Sequence, residues 1–302
     1  MKPIHLALLL SVAAASLIAA KPSAGPADPK IAYVILTGPG FELRVTNQDG
    51  TGATTLFKSP NPLRFDLGPR GQQVIALTDG NALKLLHYQV NGTGSFQTQS
   101  VETVYTDATR LYYVDMSPDG SKIAFAARNG EDLMVYDLSQ PAGPANPATW
   151  VTVPYVWDHA WYKGGAAIAY VVPKTATGHA VDELYEISGP GAAPSLIHTG
   201  QEIDFVDAAR TNTDALVLTY RVSPQSMLVG LWANGQFLQP NLTNRAFSFR
   251  GTLSCDDRYL VYAAPDKSGS TVWYIRDLNQ NSERLYSKAP RVNWTQMWPT
   301  CS

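Results

Sequence analysis

The chain has 302 residues, 45% of them hydrophobic and 16% charged, with a formal net charge of −2. That supplies apolar material for a large core, and the lack of a basic surplus excludes phosphate attraction, so nucleic acid is not an expected partner. Twenty-three glycines and 21 prolines without a sustained helical period predict many turns between short strands.

In chain order, Lys2 precedes an apolar stretch from Ile4 to Ala20, followed by KPSAGPADPK. This pattern predicts a cleaved signal peptide within residues 1–24, with the cut between Ala15 and Ala24. The stretch is shorter and richer in alanine than the roughly 20 strongly apolar residues of a membrane span. The mature chain is therefore expected without a transmembrane segment, and no cysteine follows the leader to carry a lipid. Loss of Lys2 takes the net charge to −3. Residues 25–302 are expected to be periplasmic or secreted, and monomeric.

The next elements repeat. Residues 114–127 read VDMSPDGSKIAFAA, two strand-like runs around Ser117-Pro118-Asp119-Gly120. Pro presets φ, Asp bonds the local backbone and Gly takes a left-handed conformation, which is the chemistry of a tight hairpin. With Ile123 as anchor, counterparts fall at Ile31, Val74, Ile168, Leu216 and Leu260, spaced 43, 49, 45, 48 and 44 residues apart along the chain. Turns precede the internal anchors at matching offsets: Gly68-Pro69-Arg70-Gly71, Tyr162-Lys163-Gly164-Gly165, Arg210-Thr211-Asn212-Thr213 and Ser254-Cys255-Asp256-Asp257. A second apolar segment and a second turn follow each anchor, as in LMVYDL with SQP. Four short strands per repeat of this length predict an all-β, six-bladed β-propeller of four-stranded antiparallel blades.

The first repeat lacks an inner strand, and PRVNWTQMWPTCS is left over after the last. The C-terminal strand is therefore expected to join the first blade and close the ring, leaving no open sheet edge. Closure would bring Cys255 and Cys301 to turns of adjacent blades on one face. In an exported chain, two cysteines suit a disulfide better than a metal site; two buried thiols are the alternative.

Repeats such as VDMSPDGSKIAFAARNGEDLMVYDLS and the opening IAYVILTGPGFELRVTNQDGTG resemble the TolB-type, WD-like six-bladed β-propeller family over nearly the whole mature chain. Strands are expected directly after the leader, hence a propeller without the small α/β domain that precedes it in TolB. The resemblance implies an exported module that presents loop faces to protein or peptide partners.

No G-x-S-x-G, H-E-x-x-H, C-x-x-C or phosphate-loop sequence is present. A site would instead be gathered from the inner strands, LRFDLG, YYVDMS, WDHAWY, FVDAAR, FRGTLS and the closing VNWTQMW. Their polar members are Arg64, Asp66, Asp115, Asp158, His159, Asp204, Asp207 and Arg250, the candidate channel ligands. Several carboxylates could hold a cation such as Ca²⁺ through oxygens or recognise a basic peptide; equally, inner-strand Asp can bond the backbone of the next blade. No other cofactor is expected. Asp158 and His159 have the composition of an acid–base pair, without an identifiable nucleophile beside them. Trp161 and Trp298 are expected in the core, while Trp157 and Trp294 could face a ligand. Residues 139–149 and 172–180 are candidate contact loops. The expected function is non-enzymatic binding or scaffolding in the cell envelope. The alternative is a propeller enzyme, a glycan lyase or hydrolase with a channel site.

Overall fold

The computed structural model describes residues 30–47, 50–69, 72–92, 94–141, 146–174, 181–209, 211–254 and 256–286, and the backbone of 297–300. These residues form six four-stranded antiparallel sheets, one per repeat. The third blade shows the plan: an inner strand Tyr112–Met116, then Lys122–Ala127, Asp132–Asp137 and an outer strand Ala148–Thr152. The other inner strands are Leu63–Leu67, Asp158–Tyr162, Ile203–Ala208 and Phe249–Leu253. In the first blade the inner position is filled from the other end of the chain. Met297–Thr300 pairs antiparallel with Lys30–Thr37, Thr300 opposite Lys30 and Met297 opposite Tyr33. The C-terminal strand thus closes the ring, as the leftover segment predicts.

Strand alternation explains where the core lies. Successive side chains on a strand point to opposite sheet faces, and in each second strand both faces are buried against a neighbouring blade. Ala32 and Val34 pack toward the second blade, while Ile31, Tyr33 and Ile35 pack toward the sixth. Six apolar clusters result, one in each interface between adjacent blades, including the interface across the closure. Ala76, Ala124, Ala126, Ala169 and Ala263 are fully buried, small side chains that let sheets approach near the narrow axis. The outer strand Phe96–Thr106, by contrast, is mostly exposed.

The predicted hairpin chemistry is present at atomic level. Gly120 sits at φ 72°, and Asp119 Oδ1 accepts from Ser117 Oγ at 2.6 Å and from the Ser121 amide at 3.0 Å. The degenerate copy at Ser254 keeps the same wiring: Ser254 Oγ donates to Asp256 Oδ1 at 2.5 Å, and Asp257, at φ 54°, replaces the glycine. These turns also touch around the ring. Gln72 Nε2 donates to the Asp119 carbonyl at 3.0 Å, and the Thr211 amide donates to Asp257 Oδ2 at 2.8 Å.

Every inner strand starts at the face where links between blades arrive and ends at the face of these hairpins. The described ends of the proposed contact loops therefore lie toward opposite faces: 139–141 and 146–149 follow a third strand on the hairpin face, 172–174 end a second strand on the other. Among the described residues no helix is long and apolar enough to cross a membrane. The leader, both cysteines, His179, Trp294 and the side chain of Trp298 lie outside the described residues.

Candidate functional site: the central channel and its mouth

The inner strands are edge strands, so alternate backbone N–H groups face the axis without a ladder partner. Carboxylates of the preceding blade take up several of them. Asp66 Oδ2 accepts from the Met116 amide at 2.7 Å, and Asp115 Oδ2 from the Trp161 amide at 2.5 Å. In the fourth blade the matching position is Ala160, and Asp158, two residues earlier on the same strand face, accepts from the Val206 amide at 3.0 Å. Asp207 Oδ2 then accepts from Thr252 Oγ1 at 2.6 Å. All four carboxyl groups are buried. They form a staircase of clasps from the second blade to the sixth, with the Trp161 indole adding a bond to the Asp115 carbonyl at 3.1 Å.

Asp158 and His159 do not form a pair. Adjacent positions on a strand face opposite ways: Asp158 turns to Val206 of the fifth blade, His159 to the Ala124 backbone of the third. Burial lowers the His159 pKa to about 4, with the Ala124 carbonyl opposing, and neither ring nitrogen makes a hydrogen bond of good geometry. Burial raises the Asp158 pKa to about 8, against the Val206 and His159 amides and the charge of Arg250. The carboxyl is therefore largely protonated at neutral pH.

A second layer lies toward the starts of the inner strands. Arg64, Tyr113, Asp158 and Arg250 each stand two residues before the aligned positions Asp66, Asp115, Ala160 and Thr252. Tyr113 and Arg250 sit at interruptions of strand register with φ of 41° and 55°, and a bulge at Asp204 marks the fifth blade. Left-handed conformations at bulky residues concentrate where a site demands them. These side chains act on one another electrostatically. Arg64 has a pKa lowered first by burial and then by Arg250, with Tyr113, Arg110 and Asp158 also in range. The Tyr113 hydroxyl is pushed well up by burial and by Asp158.

Phe205 stands at the same level, two residues before Asp207. It belongs to the fifth blade, yet it packs with the cluster between the first and second blades, on the opposite side of the ring. The Phe205 ring thus reaches across the channel at the level of these polar groups. At its rim, Trp157 is half-buried, its indole N–H donating to the Asp204 carbonyl at 2.9 Å, with Tyr155 beside it at 6.0 Å between ring centroids. Arg110 lies over the Tyr112 ring at 4.9 Å.

The sequence candidates therefore divide. Asp66, Asp115 and Asp207 bond the next blade; His159 lies between blades; Arg64, Asp158, Asp204 and Arg250 gather at the mouth. Among the described residues no three His, Cys, Asp or Glu side chains come together as a metal site. Tyr113, Tyr155 and Arg110 were missed by the sequence reading. Tyr113 occupies the same column as Arg64 and Arg250 in the aligned inner strands, a signal that a search for charge alone passes over. Trp161 is in the core as expected, edge-on to Trp150 at 5.4 Å.

No protein-family model matches the sequence, and no curated protein matches it. Solved structures do. TolB from Acinetobacter baumannii superposes with a TM-score of 0.66 at 17% identity, covering 91% of this chain and 67% of that one. A TolB-type structure from Agrobacterium tumefaciens gives 0.62 at 14% identity over 85% and 88%. A chain of the nidogen/laminin complex gives 0.59 at 11% identity over 89% and 97%. At these identities the likeness is one of fold: the chain is a six-bladed propeller similar to that of TolB.

Proposed function

We propose that the protein is an exported, non-enzymatic binding module that engages a protein or peptide segment at the mouth of its channel. The observation that supports this most directly is the split of the channel wall. Asp66, Asp115, Asp207 and His159 are committed between blades, whereas the mouth offers Trp157, Tyr155, Tyr113, Arg64, Arg110 and Arg250 beside Asp158 and Asp204. Aromatic rings and arginines are the residue types that dominate protein recognition, and a rigid disc presents them at little ordering cost. The leader-like segment at residues 1–24 supports export to the periplasm or beyond, and the TolB-like and nidogen-like fold supports a role in protein contacts.

The test is affinity capture from a cell-envelope extract with tagged protein, read by mass spectrometry. A specific partner is expected that disappears with Tyr155→Ala/Trp157→Ala and persists when residues 142–145 are replaced by glycine and serine. A partner lost only with the 142–145 replacement would move the site to the hairpin face and contradict the proposal. Turnover of a glycan by the purified protein, abolished by Asp158→Asn, would instead establish the enzyme.

A further inference from the structure

Arg64 is half-buried and without a carboxylate partner among the described residues. Its Nη1 donates to the adjacent Leu63 carbonyl at 3.1 Å, and among the described residues no carboxylate stands within ion-pair distance. A guanidinium carries five donors, and a desolvated charge without countercharge is costly. Its surroundings increase that cost, since Arg250 and Arg110 are like-charged neighbours. The undescribed stretch 287–296, SKAPRVNWTQ, contains two basic residues and no acidic one, so it supplies no countercharge either. The two mouth carboxyl groups do not restore the balance: the Asp158 carboxyl is buried and largely uncharged at neutral pH, which leaves Asp204 against three arginines. The result is a cationic pocket on a chain whose net charge is negative.

We propose that this pocket binds the carboxylate of an acidic residue in the partner segment, held between Arg64 and Arg250 with the Tyr113 hydroxyl as a further donor. The proposal rests on the binding-module reading and gives it a chemistry. A guanidinium fork matches the two oxygens of a carboxylate. The Phe205 ring and the Trp157 ring, whose N–H is already used, suit an apolar side chain next to that carboxylate. A peptide supplies both groups on neighbouring residues. The left-handed backbone at Tyr113 and Arg250 places both side chains in this layer before any ligand arrives, the preorganisation that a binding site requires.

The experiment uses random dodecapeptides displayed on phage and panned against the purified protein, followed by synthetic peptides in titration calorimetry. Enriched sequences should carry Asp or Glu beside an apolar residue. Replacing that acid by its amide, or introducing Arg64→Gln into the protein, should each weaken binding at least about tenfold, and the two losses should not add. Arg64→Lys, which keeps the charge without the fork, should fall between, and the melting temperature checks that each variant folds. Peptides that bind tightly and ignore both substitutions would overturn the carboxylate pocket and leave the binding module standing. If no peptide is enriched, thermal shifts with glutarate decide. Stabilisation that Arg64→Gln abolishes would support the pocket and count against a peptide partner, and no shift would overturn both.

Discussion

Met116, Trp161 and Val206 each present an amide on the uncovered edge of an inner strand, and each meets a buried carboxyl of the preceding blade. Removing the acceptor leaves a buried donor unsatisfied, which costs about 1–3 kcal/mol. Asp66→Ala and Asp115→Ala are therefore expected to lose about that much in urea denaturation. Asp115→Asn, which keeps an acceptor oxygen, should lose less. Equal losses from Asn and Ala would mean that the charge, not the hydrogen bond, is what matters. Asp158 adds a pH dependence. Its pKa rises from 3.8 to about 8 on folding, so between those values the native state holds a proton that the unfolded chain has released. Stability then falls as pH rises, by up to about 1.4 kcal/mol per pH unit. His159 acts in the opposite sense: lowered from 6.5 to about 4, it makes stability rise with pH across that window. The two effects oppose each other at acidic pH, and Asp158 acts alone between 6.5 and 8. Melting temperatures should decline over that upper range in the wild type and stay flat in Asp158→Asn.

At the scale of elements, the hairpins carry the repeat. Ser117-Pro118-Asp119-Gly120 was legible because each residue has a separate physical duty, and its relatives were found by spacing even where the letters changed. Asp257 shows why the letters can change: it adopts the conformation of Gly120, and its carboxylate binds the turn of the fifth blade. Gly120 is less tolerant, with φ of 72° and a Cβ that would meet Gln72 Oε1 at 2.1 Å. Gly120→Ala should cost about 1 kcal/mol or more, measurable as an earlier midpoint with an unchanged denaturant slope. The site was less legible than the strands that bear it. Sequence neighbours Asp158 and His159 suggested a pair that strand alternation separates. Tyr113 was passed over because its importance comes from a backbone conformation and a shared level in the ring, neither of which side-chain type encodes.

For the whole molecule, closure is the decisive feature, and the chain ends made it legible: a first repeat short of one strand and a surplus strand at the other end. Pairing of Met297–Thr300 with Lys30–Thr37 removes an edge that would otherwise offer a row of unpaired backbone groups. A chain ending at Gln296 should melt several degrees lower and form larger species in light scattering. A monomer of unchanged stability would show that the blades hold the ring without the clasp.

The channel wall divides into carboxylates that hold blades together and the mouth proposed to bind. One comparison tests that division: quantitative capture from an envelope extract with wild type, Asp66→Ala and Arg64→Gln, each paired with its melting temperature. Asp66→Ala is expected to melt lower and keep the partner, while Arg64→Gln is expected to melt close to wild type and lose it. A partner released by Asp66→Ala at unchanged stability, with Arg64→Gln still binding, would contradict that division.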